Sequence, residues 1–298
     1  MKHDREFDPN YGLATEVADG IRRLTANNPS PFTFHGTNTY LVGQKSVVVI
    51  DPGPADAQHL EAILTATKGQ TVEAIVVSHT HVDHSPGAAL LKERTGAPVI
   101  GCTPHRPARA LVDGEINALD ASGDKAFRAD RELENGTVAR FGEFSLEAIA
   151  TPGHTENHLC FALEGSAYLF SADHVMAWST SIVAPPDGNM RAYMVSLDKM
   201  LERSETIYFP GHGGPVGDAA TYVGDLKHHR LQREAAILAR LGSEPISIPE
   251  LVDAIYEGLP PMLKPAAALS VFAQLEDLVD RRLAKADPVI GLNAFYTR

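Results

Sequence analysis

The sequence predicts an α/β (α+β) fold, in which mixed sheets carry helices on their outer faces and a small helical domain follows. Three observations point there. Short apolar runs such as Val47–Ile50, Ala74–Val77 and Leu159–Leu163 read as buried strands. Some of these runs are paired through tight turns and others are separated by helical patterns, so parallel and antiparallel pairing should coexist. Beyond Asp218 the apolar spacing becomes that of helices, which divides the chain into domains at 1–217 and 218–298.

The elements follow in order. The first dozen residues are expected to be loose. Thr39–Val42 and Val47–Ile50, joined by Gly43-Gln44-Lys45, read as a hairpin, and Asp51-Pro52-Gly53-Pro54 stops the second strand. Asp56–Thr67 reads as a helix with Leu60, Ile63 and Leu64 on one face. The strand Ala74–Val77, a helix over Ala88–Arg94 and a short strand Pro98–Gly101 come next. Residues 104–140 are polar and irregular. Strands return at Ser145–Ala150, Leu159–Leu163 and Ala167–Phe170, followed by a helix over Ala192–Arg203 and a strand at Thr206–Phe209. In the tail, helices are expected over Ala220–Leu241, Glu250–Tyr256 and Ala266–Leu283, the last with a stripe of Leu269, Phe272, Leu275 and Leu278-Val279.

Composition narrows the class. The chain has 298 residues, 44% hydrophobic and 21% charged, as in ordinary globular proteins. No apolar run approaches the roughly 20 residues that span a bilayer, and the charged start Met1–Glu6 has no apolar segment behind it, so a cytoplasmic location is expected and no membrane partner. Cys102 and Cys160 lie in apolar contexts and read as buried thiols. The net charge of −12 argues against general nucleic-acid affinity. From residue 219 onward nine Lys and Arg face ten Asp and Glu, which is no footprint for sequence-specific DNA. The tail is read as a packing or dimerisation element, consistent with a homodimer.

Chemistry concentrates at strand ends. His79-Thr80-His81-Val82-Asp83-His84 places four potential metal ligands directly after an apolar strand, where a rigid sheet edge fixes their geometry. Thr151-Pro152-Gly153-His154, Ser171-Ala172-Asp173 and Phe209-Pro210-Gly211-His212 each put a His or Asp just past another strand. Together they supply His79, His81 and His154 for one metal and Asp83, His84 and His212 for a second, with Asp173 as the bridging carboxylate. Nitrogen and carboxylate donors suit zinc, manganese or iron. Asp51 reads as a partner orienting a ligand imidazole or as a turn-capping residue.

The order H-x-H-x-D-H, Pro-Gly-His, Asp, Pro-Gly-His-Gly resembles the metallo-β-lactamase-fold hydrolases over roughly residues 20–215, with Gly36–Val42 and Ile50–Gly53 similar to that family's opening strands. The resemblance implies a four-layer αββα sandwich with a dinuclear metal site between the sheets, held by the seven residues above. Asp173 in the bridging slot implies the glyoxalase-II, lactonase and nuclease side of the superfamily. The tail resembles the winged-helix appendage of the β-lactamase-like protein 2 group, with His228-His229-Arg230 on its opening helix.

Two metals imply a bridging hydroxide that attacks an ester-like bond, with Asp83 and Asp173 as the catalytic carboxylates. The expected substrate is a small ester-like molecule such as a thioester or lactone. Single-stranded RNA, as for the animal member of that group, is the alternative, and a non-catalytic winged-helix binding module ranks third. Trp178 and the loop Ala184–Met190 are expected to overhang the metals. His35 and Pro31–Phe34 are read at the mouth, Tyr193, Met194 and His174 as structural, and His105, His228 and His229 as peripheral.

Overall fold

The computed structural model describes residues 2–298. Strands β1 (Thr15–Ala18), β2 (Ile21–Thr25), β3 (Asn38–Val42), β4 (Ser46–Ile50), β5 (Thr71–Val77), β6 (Val99–Gly101) and β7 (Arg131–Glu132) form a sheet in chain order. The first four pair antiparallel and the last four parallel. The parallel crossovers carry helices α1 (Ala57–Ala66) and α2 (Gly87–Thr95). Asp56 caps α1 by accepting the His59 amide at 2.7 Å. Gly96, at φ +72°, ends α2 in the left-handed conformation glycine tolerates.

A second sheet runs in the order β12 (Ile207–Pro210), β11 (Tyr168–Ala172), β10 (Leu159–Leu163), β9 (Phe144–Ala150) and β8 (Val138–Phe141). Its strands alternate faces with period two. Leu146, Ala148, Phe161, Phe170 and Phe209 join Val47–Ile50 and Ala74–Val77 in the main core. Ile149, Cys160, Leu169 and Tyr208 pack instead under α3 (Met190–Leu201) and the start of α4 (Ala219–Leu238). The layers are therefore helix, sheet, sheet, helix. Full burial of side chains the size of Phe161 contributes about 2–3 kcal/mol each, enough to fix the register of the two sheets.

The C-terminal unit combines α4 with α5 (Ile248–Ile255), α6 (Lys264–Asp280) and a three-stranded sheet of β13 (Ile246–Ser247), β15 (Phe295–Thr297) and β14 (Lys285–Asp287). Ser247 donates its amide and hydroxyl to Glu250, at 2.8 and 2.6 Å, and so secures the entry to α5. Helix α4 serves two cores: Val223 and Leu226 belong to the cluster beneath the second sheet, Ile237 to the C-terminal cluster.

Several features differ from expectation. β1 and β2 extend the first sheet where no strand was anticipated. Residues 2–14 carry no helix or strand but are tied down: the Asp4 amide donates to Ala177 at 2.9 Å, and the Arg23 guanidinium lies 4.3 Å from the Phe7 ring centroid. The irregular 104–140 region contains β7 and most of β8, and the tail contains the small sheet as well as helices. Helix α6 is buried without interruption over Val271–Leu278, so it is more than a one-stripe helix. Arg109 meets Glu276 at 2.5 Å and Arg191 meets Asp277 at 2.7 Å, replacing water around carboxylates that would otherwise be costly to bury. No helix of the described residues is long and apolar enough to cross a membrane.

Candidate metal centre

All seven predicted side chains converge where the two sheets meet. β5 delivers His79, His81, Asp83 and His84, the turn after β9 delivers His154, and β11 and β12 deliver Asp173 and His212. Ligand atoms of His79, His81, His154 and Asp173 lie within 4.8 Å of one another, as do those of Asp83, His84 and His212. His81 Nδ1 is 3.1 Å from His79 Nε2 and 3.0 Å from His154 Nε2; His84 and His212 face each other through Nε2 at 3.3 Å. Asp173 stands between the groups, Oδ1 at 3.4 Å from His84 and Oδ2 at 3.5 and 3.3 Å from His154 and His212.

The outward nitrogens decide which lone pairs point inward. His154 Nδ1 donates to the Ile182 carbonyl at 2.6 Å and His212 Nδ1 to the Gly36 carbonyl at 3.1 Å. Ser78 Oγ donates to Asp51 at 2.6 Å, so it accepts from His79 Nδ1 at 3.0 Å. His84 Nδ1 pairs with Asp51 at 3.0 Å. Nε2 lone pairs of His79, His154 and His212 are thereby aimed into the cluster, where they repel unless a cation lies between them. Asp173 Oδ1, buried, has no hydrogen-bond partner among the described residues. This donor set fits divalent metal ions.

Electrostatics agree. Burial, with its histidine neighbours, holds His79 well below its ordinary value, and burial beside His154 brings His81 down to about 3. Burial also opposes charge on His84 and His212. There the carboxylates win: Asp83 and Asp173 raise His84 well above its usual value, and Asp173 with Asp83 pushes His212 up to about 9. Burial would raise both carboxylates, yet His84 holds Asp83, and His212 with His84 holds Asp173, well below the carboxylate range. One half of the cluster is kept as neutral donors; the other half calls for positive charge.

Other residues build the frame. Asp51 binds the Ser78 amide (2.8 Å) and hydroxyl as well as His84, which leaves it an orienting group. Thr37 Oγ1 donates to Asp83 Oδ2 at 3.0 Å. Asn38 donates to the Pro210 and Gly213 carbonyls at 3.1 and 2.9 Å, so the opening strand holds the His212 turn. A Cβ on Gly211 would lie 2.4 Å from Asp173 Oδ1, which explains glycine beside the ligand. His158, which sequence reasoning passed over, accepts the Asp173 amide at 3.3 Å and bonds Thr151 at 2.8 Å. Its apolar strand context disguised it.

The peripheral residues divide. Trp178 stacks on Phe34 (4.9 Å, 8° between planes) and Phe34 meets His35 at 4.2 Å, so these form one aromatic wall beside Gly213. Loop 184–190 does not simply overhang: Val183–Gly188 are buried, and Asp187 accepts from Asn117 at 2.9 Å. His105 bonds Thr80 at 3.2 Å and faces Asp187 at 3.8 Å. His174 packs on Tyr193 at 4.9 Å, and both are fully buried. His228 bonds Gln232 at 2.9 Å and His229 accepts from Arg233 at 3.2 Å, both within α4.

Comparison with known proteins agrees with this geometry. The metallo-beta-lactamase superfamily description matches residues 32–212, and that of the beta-lactamase associated winged helix domain matches residues 247–288. A beta-lactamase-like protein 2 homolog of Drosophila melanogaster is 30% identical over 282 residues, covering 89% of each chain. An atrochrysone carboxyl ACP thioesterase of Aspergillus chevalieri is 26% identical, covering 82% of this chain and 75% of that protein. The crystal structure of a beta-lactamase domain protein from Burkholderia ambifaria superposes with a TM-score of 0.80 at 21% identity, over 99% of this chain and 96% of that one. The chain thus belongs to the metallo-β-lactamase superfamily, as a metal-dependent hydrolase of the β-lactamase-like protein 2 group with its C-terminal winged-helix domain.

Proposed function

We propose that this protein is a dinuclear hydrolase of thioesters or closely related esters. His79, His81 and His154 would hold one divalent ion, and Asp83, His84 and His212 the other, with Asp173 between them; zinc suits the donors best. The observation that carries this reading is the position of Asp173 within 3.5 Å of imidazole nitrogens from both groups. Two such ions supply, when bound, polarisation of the scissile carbonyl and a water acidified towards neutrality.

The chain's own groups do the rest. Asp173 fixes the spacing of the two groups. Asp83, with 20% of its side chain exposed and Oδ2 oriented by Thr37, is the carboxylate that reaches the mouth, where it orients the attacking water and passes a proton on to the leaving group. The Phe34–Trp178 wall keeps solvent from one side and offers an apolar face to the acyl group. Support for a thioester comes from the name of the fungal relative. The net charge of −12 and the tail without basic excess tell against a polyanion such as RNA. We take residues 1–217 as the catalytic unit and 218–298 as the appendage.

A panel of acyl thioesters, lactones, bis-aryl phosphodiesters and single-stranded RNA, each with Zn²⁺ or Mn²⁺, tests this. Thioesters should turn over fastest. Asp173→Ala should lose at least about 10³-fold in kcat/KM, about 4 kcal/mol of transition-state stabilisation, with its circular dichroism unchanged. RNA cleaved faster than any thioester, or near-normal turnover by Asp173→Ala, would refute it.

A further inference from the structure

We propose that Arg230, on the helix that opens the C-terminal domain, is a positioning residue for the metal centre; this rests on the seven-ligand reading above. Arg230 is only 3% exposed, unusual for a guanidinium on the second half of a long helix. It does not end in an ion pair. One terminal nitrogen donates to the Ser181 carbonyl, the other to Ser270 Oγ on α6 at 3.0 Å. The guanidinium carbon lies 5.2 Å from the Tyr193 ring centroid.

Both lines lead to ligands. The residue after Ser181 is Ile182, whose carbonyl accepts from His154 Nδ1 at 2.6 Å and so holds that ring with Nε2 inward. Fixing the Ser181 carbonyl fixes the peptide plane that enters Ile182, which leaves only the φ and ψ of Ile182 to set the direction of the next carbonyl. On the other side, Tyr193 donates its hydroxyl to the His174 carbonyl at 2.9 Å, immediately after Asp173. One buried cation therefore braces His154 and the bridging Asp173, and it stands on a domain that supplies no ligand itself. The α6 contacts reinforce the link, since Gln274 donates to the Arg230 carbonyl at 3.3 Å.

Removing a group that orients a metal-bound histidine commonly costs 10–100-fold in metal affinity. Arg230→Met should therefore weaken binding of the more weakly held Zn²⁺ by at least about tenfold, read by competition with a chromophoric chelator on the full-length protein. It should also alter the visible spectrum of the Co²⁺-loaded form. Arg230→Lys, which keeps one cationic donor for Ser181, should recover part of the affinity and guards against a misfolded Met variant. Arg233→Met is the control. That side chain lies on the same helix over Tyr256, 5.0 Å from its ring centroid, and its loss should lower the melting temperature without changing metal affinity.

Wild-type Zn²⁺ affinity and Co²⁺ spectra in both Arg230 variants, whatever their melting temperatures, would overturn the proposal. So would an equal loss of affinity in Arg233→Met. Wild-type protein that binds no Zn²⁺ at all would instead overturn the metal reading itself, a distinguishable failure.

Discussion

Gly211→Ala is the sharpest perturbation available, because it adds a single methyl at a known distance from the proposed bridge. The added carbon would sit 2.4 Å from Asp173 Oδ1 and 2.7 Å from His84 Cε1. An ordinary C···O contact is about 3.3 Å, so the carboxylate must retreat by about 0.9 Å. Gly211 has no positive φ, so alanine suits its backbone, and the cost to folding is that of overpacking, about 1–3 kcal/mol. A displacement near 1 Å at reacting groups costs about 10²-fold in rate. We expect kcat/KM for an acyl thioester to fall about a hundredfold and affinity for the second metal ion to fall 10–100-fold, about 1.4–2.7 kcal/mol. Elemental analysis after dialysis against a chelator gives the stoichiometry, and a thiol-release assay gives the rate. Two tightly held ions with undiminished turnover would show that Asp173 does not lie between the metals.

Two further outcomes follow from other parts of the molecule. Burial pushes His59 down to about 4 while its Nε2 faces Thr39 at 2.8 Å. Its folded value is below the unfolded one, so its contribution is whole above about pH 6.5 and lost as pH falls towards 4, about 3 kcal/mol in all. His59→Gln should flatten the acid dependence of the denaturation midpoint by that amount, and an unchanged slope would discount the buried imidazole. Trp178→Ala removes the ring stacked on Phe34; a loss of about 1.4 kcal/mol in substrate contact should raise KM for a long-chain acyl thioester about tenfold, with kcat little changed. An unaltered KM would place the acyl group elsewhere.

The candidate metal cluster was legible because strand ends announce themselves: apolar runs stop abruptly at His79, His154, Asp173 and His212, the second and fourth of these beside a glycine. The hairpin of β3 and β4 and the helices after them were equally plain, since each carries its own apolar period. The strand β2 was not, because Arg22 and Arg23 interrupt it, and only the folded N-terminal segment shows why Arg23 can be buried: its guanidinium lies over Phe7 and donates to the Asp8 carbonyl at 2.7 Å. Residues 104–130 are held by polar contacts such as the bidentate Arg109–Glu115 pair, at 2.6 and 2.7 Å, which leave no periodic trace. The continuous burial of Val271–Leu278 in α6 was hidden because Glu276 and Asp277 break the apolar stripe, and only the fold brings Arg109 and Arg191 to them. His158 and Arg230 act through neighbours that only the fold assembles.

The division of ligands between two sheets has a consequence for biogenesis. Four donors come from β5 and its turn, while His154, Asp173 and His212 come from the opposite sheet, the last near the end of the catalytic region. Half a sandwich cannot furnish either proposed coordination sphere in full. Loading is thereby postponed until the slow, long-range pairing of the layers is finished, and uptake of the ions becomes a signature of maturation rather than its trigger.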